Sequence, residues 1–307
     1  MSSRYLLISP CRDEARFLPA TLASVARQSV LPAKWVIVDD GSTDSTPSIL
    51  RDAAARHSYI EIVRREDRGR RRVGAGVIDA FNAGLERVHL DDYDFVGKLD
   101  VDLELPERYF ERVLARFEAE PRLGNFSGKV YLRDSDGSLR PERMGDENAI
   151  GAAKFYRVAC FREIGGFVRA VCWDGIDGHV CRMRGWIARS VNEPDLRLVH
   201  LRPMGSSQGG IWRGRRRWGA GKWFMGSAWY YVLAVALYRM AEPPYVIGGL
   251  SILVGYLTAA LGGRKRLENW EFRRHLRRYE LRSLLLGRRR TADAYHRRCA
   301  ALGADRA

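Results

Sequence analysis

The chain lacks several features that would simplify its reading. Its five cysteines (Cys11, Cys160, Cys172, Cys181 and Cys299) form no CxxC pair and are odd in number. That argues against a disulfide framework or a structural zinc, and fits a reducing compartment. No low-complexity tract interrupts the 307 residues, 46% of them hydrophobic and 29% charged, enough for one large domain or two moderate ones. The apolar run in "MSSRYLLISP" is too short for a signal peptide, so the cytoplasm or the cytoplasmic side of a membrane is expected.

Acid is the scarce charge. Fifty-two Lys and Arg face 37 Asp and Glu, a net charge of +15. Nucleic acid, an anionic membrane surface or phosphorylated substrates would each suit such a surplus. The basic runs decide among them by position. One, "RREDRGRRR" (Arg64 to Arg72), lies in the first third; "RGRRRW" and "RKRLENWEFRRHLRRYELRSLLLGRRR" bracket the longest apolar stretch. They lack aromatics interleaved on strands, as a nucleic-acid binder would show, so a membrane surface is favoured and no nucleic acid is expected.

What is present reads as alternating strands and helices. "YLLIS" (Tyr5 to Ser9), "WVIV" (Trp35 to Val38), "IEIV" (Ile60 to Val63) and "FVGKL" (Phe95 to Leu99) are short apolar strands. Helical spacing is expected over Asp13 to Ala26, after a Ser45 or Thr46 cap, over Val77 to Val88 and from Pro106. Uniformly apolar strands in this alternation predict a parallel sheet covered on both faces, with ligands beyond its carboxyl ends. "DDGSTD" and "KLDVDLELP" both fall at that edge. From about Asn125 the pattern changes to a hairpin turning at Asp136-Gly137, a helix from about Ile176 to Arg184, and a last strand, Leu196 to Arg202.

"VIVDDGSTDST" at a strand end, with "DVD" some sixty residues on, resembles the family 2 glycosyltransferases of the GT-A fold. "ISPCRDEARFLPATLASVARQ" is similar to that family's opening, with Asp13-Glu14 where Asn-Glu is usual. The resemblance runs from Tyr5 to about Leu201. It implies an α/β GT-A fold, a Rossmann-like mixed but mainly parallel sheet. Residues 1–205 would form the catalytic domain, with a nucleotide-binding half (1–124) and an acceptor half (125–205). Residues 206–307 would be a helical, membrane-associating extension.

Residue by residue, the resemblance places Asp40 on the imide N–H of a uracil base, beside Pro10, with Asp39 supporting the loop or the ribose. Asp100 and Asp102 match the family's DxD motif. Asp102 would ligate Mg²⁺ or Mn²⁺ directly, and Asp100 would serve the ribose or the metal's surroundings. His200 in "LVHLR" is a further candidate for the metal or the diphosphate. One arginine of the run before "VGAGVIDAFNAGL", taken as Arg72, would meet phosphates or base. In "WDGIDGHVCRMRGW", Asp177 aligns with the base that deprotonates the acceptor hydroxyl, and Asp174 competes with it. Attack opposite the leaving diphosphate would invert the anomeric carbon.

"QGGIWRGRRRW" matches only the Arg-Trp of the QxxRW motif of processive synthases, with Gly214 at the glutamine position. Single-sugar transfer is therefore expected, from a UDP-sugar to a membrane-borne, lipid-linked saccharide in surface polysaccharide or glycoconjugate assembly. "WFMGSAWYYVLAVALYRM" and "YVIGGLSILVGYLTAAL", either side of Glu242-Pro243-Pro244, would form a re-entrant or in-plane hairpin; the second is near the shortest span of a bilayer, where roughly 20 residues are usual. Two competing readings are a sugar-nucleotide nucleotidyltransferase, whose glycine-rich loop is missing from "SPCRDEAR", and a membrane-bound nucleic-acid-binding protein.

Overall fold

A computed structural model describes residues 3–69, 74–142, 144–203 and 210–304. The first half alternates as expected: β1 (Tyr5–Cys11), α1 (Leu18–Ala26), β2 (Lys34–Asp39), α2 (Thr46–Arg56), β3 (Ile60–Arg64), α3 (Ala75–Leu85), β4 (Phe95–Leu99), β5 (Leu103–Glu104) and α4 (Tyr109–Ala119). There follow β6 (Leu123–Ser127), β7 (Lys129–Arg133), β8 (Leu139–Pro141), β9 (Ala153–Arg157), α5 (Val158–Glu163), α6 (Trp173–Met183), β10 (Ile187–Ser190) and β11 (Arg197–His200). Five further helices follow among the described residues: α7 (Gly210–Met225), α8 (Trp229–Met240), α9 (Ile247–Leu261), α10 (Trp270–Leu286) and α11 (Arg288–Ala304).

Seven strands form the main sheet in the order β10-β6-β9-β4-β1-β2-β3. All its pairs are parallel except those of β9, which runs antiparallel between β4 and β6. A smaller sheet, β5-β11-β7-β8, stands at the carboxyl edge. The period of two along each strand sorts the core into two layers. Tyr5, Leu7, Trp35 and Ile37 face Leu18, Val25, Leu50, Phe110 and Phe117 of α1, α2 and α4. Leu6, Ile8, Val36 and Val38 face Ile78, Phe81, Phe161 and Cys181 of α3, α5 and α6. Truncating a fully buried member such as Ile37 to Ala should cost about 2–5 kcal/mol.

Four helix starts differ from expectation, α3 beginning at Ala75 rather than Val77 and α4 at Tyr109 rather than Pro106. α1 begins at Leu18, not Asp13, because Asp13 has φ +50° and Pro19 sits in the first turn. α6 begins at Trp173, three residues before the expected Ile176, so both candidate acids lie in its first turns.

The helical extension docks on α6: Ile176 packs with Met225, Phe272 and Leu276. α7 and α9 cross so closely that a Cβ on Gly219 would lie 2.0 Å from the Ile252 carbonyl oxygen, and one on Gly255 2.1 Å from that of Arg216. The first expected apolar segment is broken at Gly226, whose φ is +83°. Buried Glu280 accepts a 2.9 Å hydrogen bond from the Ala228 N–H and so closes the start of α8. Among the described residues, no helix is long and apolar enough to cross a membrane. The outer faces of α8 and α9 are nonetheless apolar and bare, with Trp229 68% and Leu261 88% exposed. The expected boundary between residues 205 and 206 lies outside the described residues.

Candidate active site

Strand register brings the acids together. Cys11 pairs with Asp39 across β1 and β2, and Ile8 with Lys98 across β1 and β4. Asp39, Asp40 and Asp100 therefore end neighbouring strands at one edge. Beyond them opens a cavity of about 290 Å³ lined by Pro10, Asp40, Asp100, Asp102, Asp174, His200 and Arg202, among others.

Asp39 does not reach the cavity. Its Oδ1 accepts from the Ser42 N–H at 2.8 Å and holds the turn, the loop-supporting half of its expected role. Gly41 has φ +78°, and a Cβ there would lie 2.5 Å from Asp67 Cα, so this turn requires glycine. Asp40 lines the cavity, but its carboxylate is already held by Arg65, at 2.8 Å, and by Arg68. Arg68 comes from the run expected to meet phosphates or base. Arg72 lies outside the described residues.

Asp102 is buried beside three cations. Arg202 Nε is 2.7 Å from its Oδ2, and His200 Nε2 is 3.4 Å from the same oxygen. Burial acts to raise its pKa, but the His200 hydrogen bond and the charges of His200, Arg202 and Lys98 outweigh it and lower the pKa. Its Oδ1 is buried with no hydrogen-bond partner. An orphaned carboxylate oxygen on a residue that lines a cavity is a group that a hard divalent cation could satisfy. Asp100, whose side chain is 34% exposed, is paired with Lys98. Among the described residues no three acids, histidines or cysteines gather closely enough to hold a metal alone. A cation here would complete its shell with phosphate oxygens and water, as Mg²⁺ and Mn²⁺ do.

His200, the further candidate, lines the same cavity. Its Nδ1 lies 3.1 Å from Glu142 and its Nε2 faces Asp102. Burial lowers its pKa, but the two carboxylates more than compensate and raise it to about 9. In this arrangement the ring bridges the two carboxylates and so orients Asp102.

The two acids of α6 separate in the same way. Asp177 is buried outside the cavity, its carboxylate bridged by Lys154 Nζ at 2.6 and 2.7 Å and by the Tyr156 hydroxyl. Lys154 is itself 0% exposed. Burial raises the Asp177 pKa, with Lys154 opposing. Asp174 points into the cavity, while its backbone oxygen accepts from the same Lys154 Nζ at 2.6 Å. The lysine thus anchors the first turn of α6 and leaves Asp174 lining the cavity. Cys172, just before this turn, has φ +65°, the kind of backbone strain that collects at functional sites.

Arg202, Lys98 and Lys154 were not singled out by sequence reasoning. Arg202 joins Asp102 to Glu14, at 2.6 Å from the latter. The pairing spans 188 residues and leaves no local pattern. Only its place two residues after His200 could have suggested it.

Residues 7–175 match the model of glycosyl transferase family 2. The chain belongs to that family. It is a glycosyltransferase, and the match sets aside the nucleotidyltransferase and nucleic-acid readings. Poly-beta-1,6-N-acetyl-D-glucosamine synthase of Staphylococcus aureus (strain COL) is 24% identical over 129 residues, 42% of this chain and 29% of that protein. The match thus covers under a third of that relative's length. Mannosyltransferase PcManGT from Pyrobaculum calidifontis, solved with GDP-Man and Mn²⁺, is 21% identical over 97% of this chain and 86% of its own, with a TM-score of 0.51. TarS 1-349 of S. aureus, solved with UDP-GlcNAc, is 14% identical over 98% and 92%, with a TM-score of 0.52. These structural likenesses establish a GT-A-like mixed α/β fold.

Proposed function

We propose that this family 2 enzyme transfers one sugar, with inversion, from a UDP-sugar to a saccharide acceptor presented at a membrane surface on its cytoplasmic side. The acceptor is a lipid-linked saccharide of surface polysaccharide or glycoconjugate assembly. The observation that carries the reading is the convergence of Asp40, Asp102 and Asp174 on one cavity, with Asp102 Oδ1 left orphaned.

Asp102, with Asp100 beside it, would hold Mg²⁺ or Mn²⁺, whose charge would offset that of the departing diphosphate. Asp40 would accept from the imide N–H of uracil once Arg65 or Arg68 yields one oxygen. Arg202 is placed to exchange Asp102 for a donor phosphate oxygen. Asp174 is the general base, taking the proton from the acceptor hydroxyl as that oxygen attacks the anomeric carbon. Asp177 acts through Lys154, fixing the turn that carries Asp174. The exposed apolar faces of α8 and α9 would sit in the acyl boundary, with flanking arginines against anionic head groups at about 1 kcal/mol each.

Donor hydrolysis tests the enzymatic half without a known acceptor. UDP release from UDP-sugars, measured with Mn²⁺ and with EDTA, should require the cation and exceed release of GDP from GDP-mannose. Equal release under EDTA would remove the metal from the reading, and preference for GDP-mannose would remove the uracil assignment. Sedimentation with anionic vesicles tests the membrane half: binding should survive high salt and yield to detergent, whereas protein left in the supernatant would refute it.

A further inference from the structure

A second cleft lies between the end of α6, α10 and α11, and none of its lining residues borders the donor cavity. Its volume is about 360 Å³. α10 lines it with Arg274, His275 and Arg278, α11 with Tyr295 and Arg298, and α6 with Arg182. Glu271 is the one carboxylate on its walls among the described residues, so four guanidinium groups face a single acid. Arg274 rests on the Trp270 indole, 5.5 Å from the ring centroid. Arg274, Arg278 and Arg298 form no ion pair among the described residues, whereas the arginines of the donor site are paired with Asp40, Asp102 and Glu14.

Two of the lining residues also carry buried nitrogens without hydrogen-bond partners, His275 Nε2 and Arg182 Nε. The rest of the Arg182 guanidinium is satisfied, by Asn148 Oδ1 at 3.1 Å and the Ala188 carbonyl at 3.0 Å. Its position is therefore fixed. Unpaired like charges held together by helix packing repel, and buried polar groups without partners are costly. The repulsion among the exposed guanidinium groups is relieved by one anion with several acceptor oxygens. Guanidinium forks match phosphate oxygens in pairs, and three excess positive charges favour a multiply charged phosphate over a carboxylate.

We propose that the cleft between α6, α10 and α11 is a second ligand site of the enzyme, binding a phosphate monoester or diphosphate group. Such a group would bridge α10 and α11 to α6, the helix that carries Asp174. Its source is either a soluble phosphate compound or a lipid head group, and the chemistry recognised is the same.

Calorimetric titration of the full chain with inorganic pyrophosphate, in EDTA, tests the site directly. Arg274→Gln/Arg278→Gln removes two exposed guanidinium groups from the cleft; Arg282→Gln/Arg297→Gln removes two exposed ones from the same helices outside it. The cleft pair should weaken pyrophosphate binding by about tenfold or more, and the outer pair by less than about threefold. A second arm compares vesicles containing phosphatidic acid, a phosphate monoester, with phosphatidylglycerol vesicles of matched charge. Loss of preference for phosphatidic acid in the cleft pair alone, with pyrophosphate unbound by the parent protein, assigns the site to a lipid head group. The proposal is overturned if neither ligand distinguishes the two pairs of substitutions.

Discussion

The donor cavity and the C-terminal helices treat positive charge in opposite ways. Around the cavity each basic group is matched: Arg65 and Arg68 to Asp40, Lys98 to Asp100, Arg202 to Asp102 and Glu14, Lys154 to Asp177. On α10 and α11 the arginines stand largely unmatched beside bare leucines. A net charge of +15 therefore describes neither region. In the cavity the cations pre-set carboxylates for a ligand that brings its own charges; on the helices they are left open to an external anion. Paired charge here fixes orientation, and unpaired charge is what the proposed second site would use to bind.

The sharpest way to break this comparison is within α6. Asp174→Asn should lower donor turnover by about 10²–10⁴-fold while leaving UDP–Mn²⁺ affinity nearly unchanged, because it removes a base and no donor contact. Asp177→Ala should instead destabilise the fold by about 3–5 kcal/mol, since it strands a buried lysine. Chemical denaturation separates the two. A stable, inactive Asp177→Ala would return the base role to Asp177.

Acid should strike the helical layer next. His275 and His296 are both held at about 4, by burial first and then by Arg182, against an ordinary 6.5. Arg278 adds to the effect on His275 and Arg189 to that on His296. The unfolded chain takes up these protons first, so stability is full above about pH 6.5 and falls as pH drops towards 4. At pH 5 each histidine should cost on the order of 1–2 kcal/mol. Denaturant midpoints between pH 7 and 5 measure this, and a flat profile would mean that these rings are solvated. The smallest effect on stability belongs to the apolar rim. Leu257→Ser and Leu261→Ser, both exposed, should change stability by less than about 0.5 kcal/mol each yet reduce vesicle partition.

Much of the fold was legible because its signals are local. β4 was expected over Phe95 to Leu99 and lies there, and the hairpin at Asp136-Gly137 turns where Gly137 has φ +84°. β6 ("LGNFS") and β10 ("IARS") escaped notice, since short strands broken by Gly, Asn or Arg carry no periodicity. The site was legible at strand ends, where a turn signal fixes position, and poorly legible within α6. Asp174 and Asp177 are three residues apart on one helix, and spacing does not say which faces ligand. Lys154, on a strand some twenty residues earlier, takes the Asp177 carboxylate and only the backbone oxygen of Asp174.

The central claim is that the acids at the sheet's edge form one cation-dependent nucleotide site. Calorimetric titration of UDP into the full chain, with Mn²⁺ or with EDTA, tests it most directly, with Asp102→Asn as the variant. The account predicts binding with Mn²⁺, none detectable in EDTA, and loss of the Mn²⁺-dependent binding in Asp102→Asn. Equal UDP affinity in all three conditions would contradict it.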